Sequence, residues 1–453
     1  MPTKLTVKVP EIIEILAVTS SHLSAANLRN FSFLVEAILA TSTPVTTLSV
    51  SRICRASHRT LQRFYALDNI DWLLVRLLLL RAFIYQPEHH YLLAGDETVE
   101  DKAGKHTYGM GRFYSSLSQR AINSVSFLAL SLIDVQTRKS SLVACEQLIK
   151  NKADALAPKT EKKQQSQEPK RGRGRPKGSK NKPEQQPQSL SYQTMKVLLS
   201  LFKSRLKAVL PSLNCFHLVL DGFYGHCAYL QLALEHELKI ISRFKSNACL
   251  YLPYQGEYKG KGRPQTKGHK VNLEQLPASC FVSSIEDEKQ KVRTHIYAFS
   301  AYTPAMAGGL LKVVVLVHTH RVTGRSSRTI LFTNDLELTA EQVKDYYSLR
   351  FQIEFDFRDA KQYFGLSSFR NYKQTQVTNA ANIAFTMTLV SKILLEKMRE
   401  RYNCETMGIT DMKVLYRIGR WVEEYLKFNK SNQNEFLTPQ QFIDIARLEA
   451  IHL

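Results

Sequence analysis

Phe216-His-Leu-Val-Leu-Asp221-Gly-Phe-Tyr-Gly225, followed by Cys227 to Glu237 and then Lys239-Ile-Ile-Ser-Arg-Phe244, is the stretch on which the fold turns. The first run is short, apolar and closed by an acid, which predicts a buried strand. Residues 227–237 carry a helical pattern, and Lys239 to Phe244 predicts a second strand. The alternation continues outward. Upstream, Tyr91-Leu-Leu-Ala-Gly-Asp96 predicts another buried strand ending in an acid. Ser126 to Ile133 and Ser141 to Cys145 predict two more, joined by a turn around Asp134 to Lys139. A helical pattern from Tyr192 to Leu210 stops at Pro211. Downstream, residues 247–335 read mainly as strands, clearest at His295–Phe299, Leu311–Val317 and Thr329–Phe332. The pattern is helical again from Thr339 to Lys361 and from Asn379 onward. This order predicts an α/β core around one mixed sheet.

Residues 1–88 read as helical throughout. Within them, Leu48 to Phe64 resembles a helix-turn-helix. A short helix ends near Arg55, Ser57 caps the next, and Leu61 and Phe64 face inward. Arg59, Thr60 and Arg63 then face outward, where a recognition helix meets DNA. An ordinary helix pair in a bundle shares that pattern.

The chain has 453 residues, enough for two to four domains, and 44% of them are apolar. Sixty-two Lys and Arg against forty Asp and Glu leave a net charge of +22. A field of that sign attracts polyanions, nucleic acid before an anionic membrane surface, although a basic soluble enzyme carries it too. The longest apolar stretch, Asp71 to Tyr85, is cut by Arg76 and Arg81, so no membrane helix is expected. Met1 to Pro10 lacks the apolar core of a signal peptide. The seven cysteines are scattered and never spaced C-x-x-C, which predicts reduced thiols in a cytoplasmic setting and no zinc site.

Asp96 and Asp221 follow buried strands, where open α/β sheets place ligands. A turn residue is the ordinary reading of one such Asp; two improve the case for chemistry. The helical run Tyr347-Ser-Leu-Arg350-Phe-Gln-Ile-Glu354-Phe-Asp-Phe-Arg-Asp-Ala-Lys361 adds a third acid. At about 100° per residue, Tyr347, Arg350, Glu354 and Lys361 share a stripe roughly 60° wide. Asp356 and Asp359 fall well away from it. An i,i+4 pair of Arg350 with Glu354 on a solvated face explains two of the four residues. Three converging carboxylates form an oxygen-rich site suited to Mg²⁺ or Mn²⁺. Two such ions can assist displacement at a phosphodiester.

The spacing Tyr347-x2-Arg350-x3-Glu354-x6-Lys361 resembles the Y-R-E-K signature of bacterial insertion-sequence transposases, in the DDE group named after insertion sequence four. Asp96-Glu-Thr98 before the basic and Gly residues of 102–111, Asp221-Gly-Phe-Tyr-Gly225, and a β-rich insert before the Glu agree with that family. The resemblance covers about residues 88–370. It implies a ribonuclease-H-like core in residues 89–246 and 336–371, interrupted by a β-rich insertion at 247–335. An all-α DNA-binding domain (1–88) precedes it and a helical C-terminal region (372–453) follows. It also implies that Asp96, Asp221 and Glu354 bind two Mg²⁺ ions as the catalytic triad, and that Tyr347, Arg350 and Lys361 touch DNA phosphates. Some relatives stack a flipped base on a Trp of the insert. Here the only two, Trp72 and Trp421, lie outside it, so another aromatic does that work or the hairpin route of cutting is absent.

Residues 156–190 hold ten Lys and Arg against three acids and almost no large apolar side chain, which predicts a disordered basic loop within the core. Its centre, Arg173-Gly174-Arg175-Pro176 with Lys177, resembles an AT-hook, in which Arg enters a narrow A·T minor groove. A solvated linker is the alternative. A second basic stretch, Lys259 to Lys270, repeats Gly-Arg-Pro at Arg263. The whole predicts a DNA transposase that binds terminal inverted repeats and catalyses Mg²⁺-dependent cleavage and strand transfer. It would sit in the bacterial cytoplasm with the nucleoid, and the resemblance implies a homodimer on double-stranded DNA. A domesticated DNA-binding protein without catalysis and a ribonuclease-H-like nuclease or resolvase are the alternatives.

Overall fold

The computed structural model describes residues 10–428 apart from 43, 105, 117, 151–188, 258–259, 261–263 and 307–308. The expected basic loop with Arg173, Arg175 and Lys177, together with Arg263 and residues 429–453, lies outside the described residues.

The strands β1 (Tyr91–Asp101), β3 (Arg120–Asp134), β4 (Ser140–Leu148), β5 (Cys215–Leu220) and β6 (Lys239–Phe244) stand in the order β4-β3-β1-β5-β6. β5 is parallel to β1 and to β6, whereas β3 is antiparallel to both its neighbours. A short strand, β2 (Gly111–Ser115), shares the outer edge of β3 with β4. This arrangement is consistent with the expected ribonuclease-H-like core.

Most of the segment 247–335, expected as a β-rich insertion, is not a separate layer. A small hairpin of β7 (Tyr251–Pro253) and β8 (Lys267–Lys270) stands apart. The strands β9 (Phe281–Asp287), β10 (Val292–Ala301), β11 (Leu311–His320) and β12 (Ser326–Thr333) then extend the main sheet. β12 pairs antiparallel with β6, Phe332 opposite Ser242, so ten described strands form one mixed sheet.

Strand alternation divides the apolar residues between two faces. Leu92, Ala94, Val219 and Ile241 enter one core, while Leu93, Leu218, Leu220 and Ile240 enter the other. The second face is covered by α6 (Leu190–Val209) and α7 (Cys227–Glu235). The first is covered by α8 (Ala340–Leu349), α9 (Gln352–Tyr363) and the long α10 (Gln374–Tyr402). Each fully buried Leu, such as Leu92 or Leu218, contributes about 2 kcal/mol by leaving water.

The N-terminal region forms the helices α1 (Pro10–Ala17), α2 (Ala25–Ala40), α3 (Thr47–Ile53), α4 (His58–Tyr65) and α5 (Trp72–Phe83). They do not have a core of their own. Phe31, Leu61, Phe64 and Trp72 share one apolar cluster with α10 and with α11 (Ile409–Phe428). The Trp72 indole N–H donates to Asn379 of α10 at 2.8 Å. Arg76, 1% exposed, donates to the Val143 carbonyl at 2.8 Å and to the Asn382 side chain at 2.9 Å. Residue 88 is therefore a change of texture and not a break in packing. In α4, Ser57 Oγ accepts from the Thr60 amide, Leu61 and Phe64 are buried, and Arg59 and Arg63 are exposed.

Candidate active site

β1 and β5 run parallel with Gly95 opposite Leu220 as their last paired residues. Asp96 and Asp221 come next on each chain and therefore emerge side by side. β1 itself does not end there, contrary to expectation. It continues to Asp101 because β3 pairs with it along its whole length, Asp101 opposite Ser124. Asp96 thus sits where β1 loses its parallel neighbour but keeps its antiparallel one, which holds its backbone firmly. Gly95 lets the sheet and α6 approach closely. A Cβ there would meet Leu220 and Met195 side-chain carbons at 2.9 Å.

After β5 the chain turns sharply through Gly222 to Gly225. Ser242 donates its hydroxyl to the Asp221 carbonyl at 3.0 Å. A Cβ at Gly225 would lie 2.5 Å from the Arg243 carbonyl oxygen, so this turn has no space for a side chain. The two glycines of Asp221-Gly-Phe-Tyr-Gly225 press the segment against β6 and fix Asp221.

The expected single helix through Lys361 is two. α8 ends at Leu349 and α9 starts at Gln352, with Arg350 and Phe351 between them still in right-handed helical conformation. The shallow break leaves the stripe largely intact. The Tyr347 hydroxyl donates to Asp221 Oδ1 at 3.4 Å. Arg350 Nη1 reaches Asp96 Oδ2 at 2.7 Å, and its Nη2 reaches Glu354 Oε1 at 3.2 Å. The i,i+4 pair exists, but the same guanidinium also spans to the sheet, which a solvated face would not do. Lys361 lies further along, ion-paired with buried Glu100 at 2.8 Å rather than beside Asp96, Asp221 and Glu354. Asp356 and Asp359 face the core, Asp356 taking a Ser131 hydroxyl and ion-paired with Lys392.

Burial pushes the Asp96 carboxyl up to about 6. Arg350 and the Glu97 amide oppose this, while Asp221 and Glu354 add to it. Burial draws Arg350 downward, but the three carboxylates outweigh it and hold the guanidinium firmly charged. Tyr347 is raised by burial and then by Asp221, which keeps its hydroxyl a donor.

Other residues at the site carry no motif. Arg243 places Nη2 3.9 Å from Asp221 Oδ1 while remaining half exposed. Glu97 points to the opposite face from Asp96 and accepts from the Ser191 hydroxyl at 2.5 Å and the Tyr224 hydroxyl at 3.1 Å. It ties β1 to the turn after Asp221 and to the start of α6. Its adjacency to Asp96 in sequence was the only available signal. Arg59 and Arg63 lie on α4, away from this cluster, and make no contact with it among the described residues.

Residues 20–295 match the family described as DDE superfamily endonuclease. The chain belongs to that family. The matched span holds Asp96 and Asp221 and stops before the helix of Glu354. It begins inside the helical N-terminal region, in keeping with a core shared between those helices and the sheet. No curated protein matches this DDE endonuclease chain. Endonucleases of this superfamily are generally dependent on divalent metal and act on DNA. Among the described residues no group of three or more His, Cys, Asp or Glu lies close enough to hold an ion in this geometry. Arg350 occupies the space between Asp96 and Glu354. The donor set still suits a hard cation: it is all oxygen, and its mutual repulsion is visible in Asp96. No helix among the described residues is long and apolar enough to cross a membrane.

Proposed function

We propose that this protein is a DNA transposase of the insertion-sequence-four group, cutting at terminal inverted repeats and joining the ends to target DNA. The observation that carries the reading is the convergence of Asp96, Asp221 and Glu354 from two adjacent strands and a helix, with Arg350 and Tyr347 bonded to them. Asp96, Asp221 and Glu354 would hold Mg²⁺, or Mn²⁺, as two ions. When bound, these would activate the attacking oxygen and stabilise the leaving one.

The chain's own residues supply the rest. Arg350 is a planar donor already desolvated beside the acids, so it can turn to grip a phosphate bidentately once a cation balances them. The Tyr347 hydroxyl and the half-exposed Arg243 approach Asp221 from two sides and can orient the phosphate there. Lys361 places a further positive charge along α9. Arg59 and Arg63 on α4 suit a groove or phosphate contact. The basic segments with Arg173, Arg175, Lys177 and Arg263 add sequence-independent affinity through counterion release. A homodimer holding two ends belongs to the same reading.

The test uses DNA carrying the inverted repeats that flank the gene, incubated with and without Mg²⁺, beside Glu354→Gln. Metal-dependent cleavage and joining, lost in the variant, is the expected result. Binding without cleavage favours a domesticated DNA-binding protein. Cleavage without joining favours a nuclease or resolvase. Undiminished cleavage by Glu354→Gln overturns the triad.

A further inference from the structure

Beyond the acids, β1, β3 and β2 meet at one level, where Ser124 of β3 stands between Asp101 of β1 and Gly111 of β2. Past that level β1 has ended, and β2 and β3 run on as a two-stranded ribbon to Ser115 opposite Arg120. Alternation fixes the face that each side chain takes. Val125, Phe127 and Ala129 of β3 enter the core on the α9 side, and Ala129 pairs with Asp96. Asn123 and Ala121 continue that face, together with their partners Arg112 and Tyr114. Phe113 takes the other face, 6% exposed in the core on the α6 side. Lys150 closes that side, its ammonium 4.3 Å from the Phe113 ring centroid and donating to the Arg112 carbonyl. The face shared with Asp96 is open: Arg112, Tyr114, Ala121 and Asn123 are all exposed.

The ribbon is held firmly at its base. Lys102, just after β1, donates to the carbonyls of Ser367 and Phe369, each at 3.1 Å. The Tyr108 amide donates to the Tyr372 carbonyl at 2.9 Å, and Gln147 donates to the Tyr108 carbonyl at 2.8 Å. Its charge has one sign: residues 102–133 hold four Lys and Arg and no Asp or Glu. Its open face carries a guanidinium, a carboxamide and a phenol rather than an apolar patch. Arg112 donates to the Ala121 carbonyl at 2.9 Å through Nη2, which orients the guanidinium and leaves its other N–H groups outward. Arg112 and Asn123 face each other on one rung. Arg and Asn are the side chains that match guanine and adenine edges in the major groove, which admits a two-stranded ribbon. From Ala129, opposite Asp96, to Asn123 is roughly 20 Å at the strand rise, about six base pairs of duplex.

We propose that the β2–β3 ribbon is a second DNA-contact surface. It lays Arg112 and Asn123 in the major groove about six base pairs from the bond cut at the acids, with the Tyr114 hydroxyl on a backbone phosphate beside them. The inference rests on the reading of Asp96, Asp221 and Glu354 as a DNA-cutting site. Because the ribbon and Asp96 share β3 as a rigid neighbour, this contact sets which phosphodiester falls at the acids.

The test uses the full-length protein and two labelled duplexes, one carrying the repeats that flank the gene and one of random sequence. Arg112→Ala and Asn123→Asp each change an exposed side chain, so thermal unfolding should match wild type; either variant decides the matter if the other fails to fold. Gln231→Asp, exposed on α7 over the opposite face of the sheet, makes the same change of net charge as Asn123→Asp. Affinity for the duplexes is expected to fall at least about fivefold in each ribbon variant and to stay at the wild-type value in Gln231→Asp. Unchanged affinity in the ribbon variants, or an equal loss in Gln231→Asp, overturns the proposal. Dimethyl sulfate footprinting reads guanine N7 in the major groove. Protection by wild type that is lost in Arg112→Ala supports the groove contact, and identical protection by the two overturns it. Wild type that binds both duplexes alike, or binds without cutting in Mg²⁺, overturns the transposase reading, while the ribbon variants on the random duplex still decide this proposal. Wild type that binds neither duplex overturns both.

Discussion

Asp96→Asn should make the metal-free protein more stable, although it removes one of the three acids proposed to hold the metal. The carboxyl of Asp96 is raised from 3.8 to about 6, first by burial. Its ionised form is therefore disfavoured in the folded state relative to the unfolded chain. The opposing effect of Arg350 is already contained in that displacement. At 1.36 kcal/mol per pH unit, ionised Asp96 costs the fold about 3 kcal/mol, and about 2 after allowance for solvent reaching the side chain. The sign follows from proton binding. Between pH 4 and 6 the folded state holds more protons at this group than the unfolded state, so stability falls as pH rises through that window. Above it the cost is constant. Asn has nearly the same shape and no charge, so it should escape the cost. For a chain this long, 2–3 kcal/mol corresponds to a Tm increase of about 2–3 °C. The assay is thermal unfolding in EDTA at pH 7.5 and again at pH 5, wild type beside Asp96→Asn. The variant should melt higher at pH 7.5, and the gap should narrow at pH 5. An equal or lower Tm for the variant at pH 7.5, or a gap that does not depend on pH, would refute the reasoning.

Mg²⁺ should raise the Tm of wild type but much less that of Asp96→Asn, since a ligand at 100 times its Kd stabilises by about 2.7 kcal/mol; equal shifts in both proteins would remove Asp96 from the metal site. Arg350→Gln leaves partly buried carboxylates without a partner and should lower metal-free stability by about 1–3 kcal/mol, yet calorimetry should show Mn²⁺ affinity unchanged or tighter because a competing cation has gone. Gly225→Ala sets a methyl against the Arg243 carbonyl, and about 1–3 kcal/mol of destabilisation is expected by denaturant titration. Arg59→Ala/Arg63→Ala changes exposed side chains, so stability should hold within about 0.5 kcal/mol while DNA affinity falls and its salt slope shrinks.

The elements of the core were legible because each is short, apolar and punctuated. Phe216 to Asp221 and Lys239 to Phe244 became adjacent parallel strands, and Ser57 capped α4 as its hydroxyl suggested. The stripe was legible because helical spacing is rigid, and even a break at Arg350 did not scatter Tyr347, Arg350 and Glu354. What pattern alone misplaced were long-range choices. The end of β1 at Asp96 looked like a strand end because Glu97, Thr98 and Glu100 are polar. They are sustained by pairing with β3 across some thirty residues of sequence, and Glu100 is buried against Ser367. The β-rich insertion could have packed on its own; that it extends the sheet depends on the exposed edge of β6, which no local pattern reports. Glu97 and Arg243 carry no spacing signal because they act on Asp96 and Asp221 through space.

Arg350 links the two kinds of charge in this chain. A protein with an excess of 22 positive charges has no shortage of cations for DNA, yet this one is turned inward between Asp96 and Glu354. Without it, three carboxylates would face one another in a partly desolvated cleft, where Asp96 already resists ionisation. A guanidinium there holds Asp96 and Glu354 in order, and in the proposed reading it would do so until a divalent cation and a phosphate arrive. In the proposed reading the carboxylates would hold the cation, and a phosphate would offer the guanidinium a bidentate partner of the same geometry. Each arrival would favour the other because each would satisfy what the other displaces. Metal binding and DNA binding should therefore be coupled through this side chain. The coupling should be measurable as tighter Mn²⁺ binding in the presence of DNA for wild type, and as little difference for Arg350→Gln.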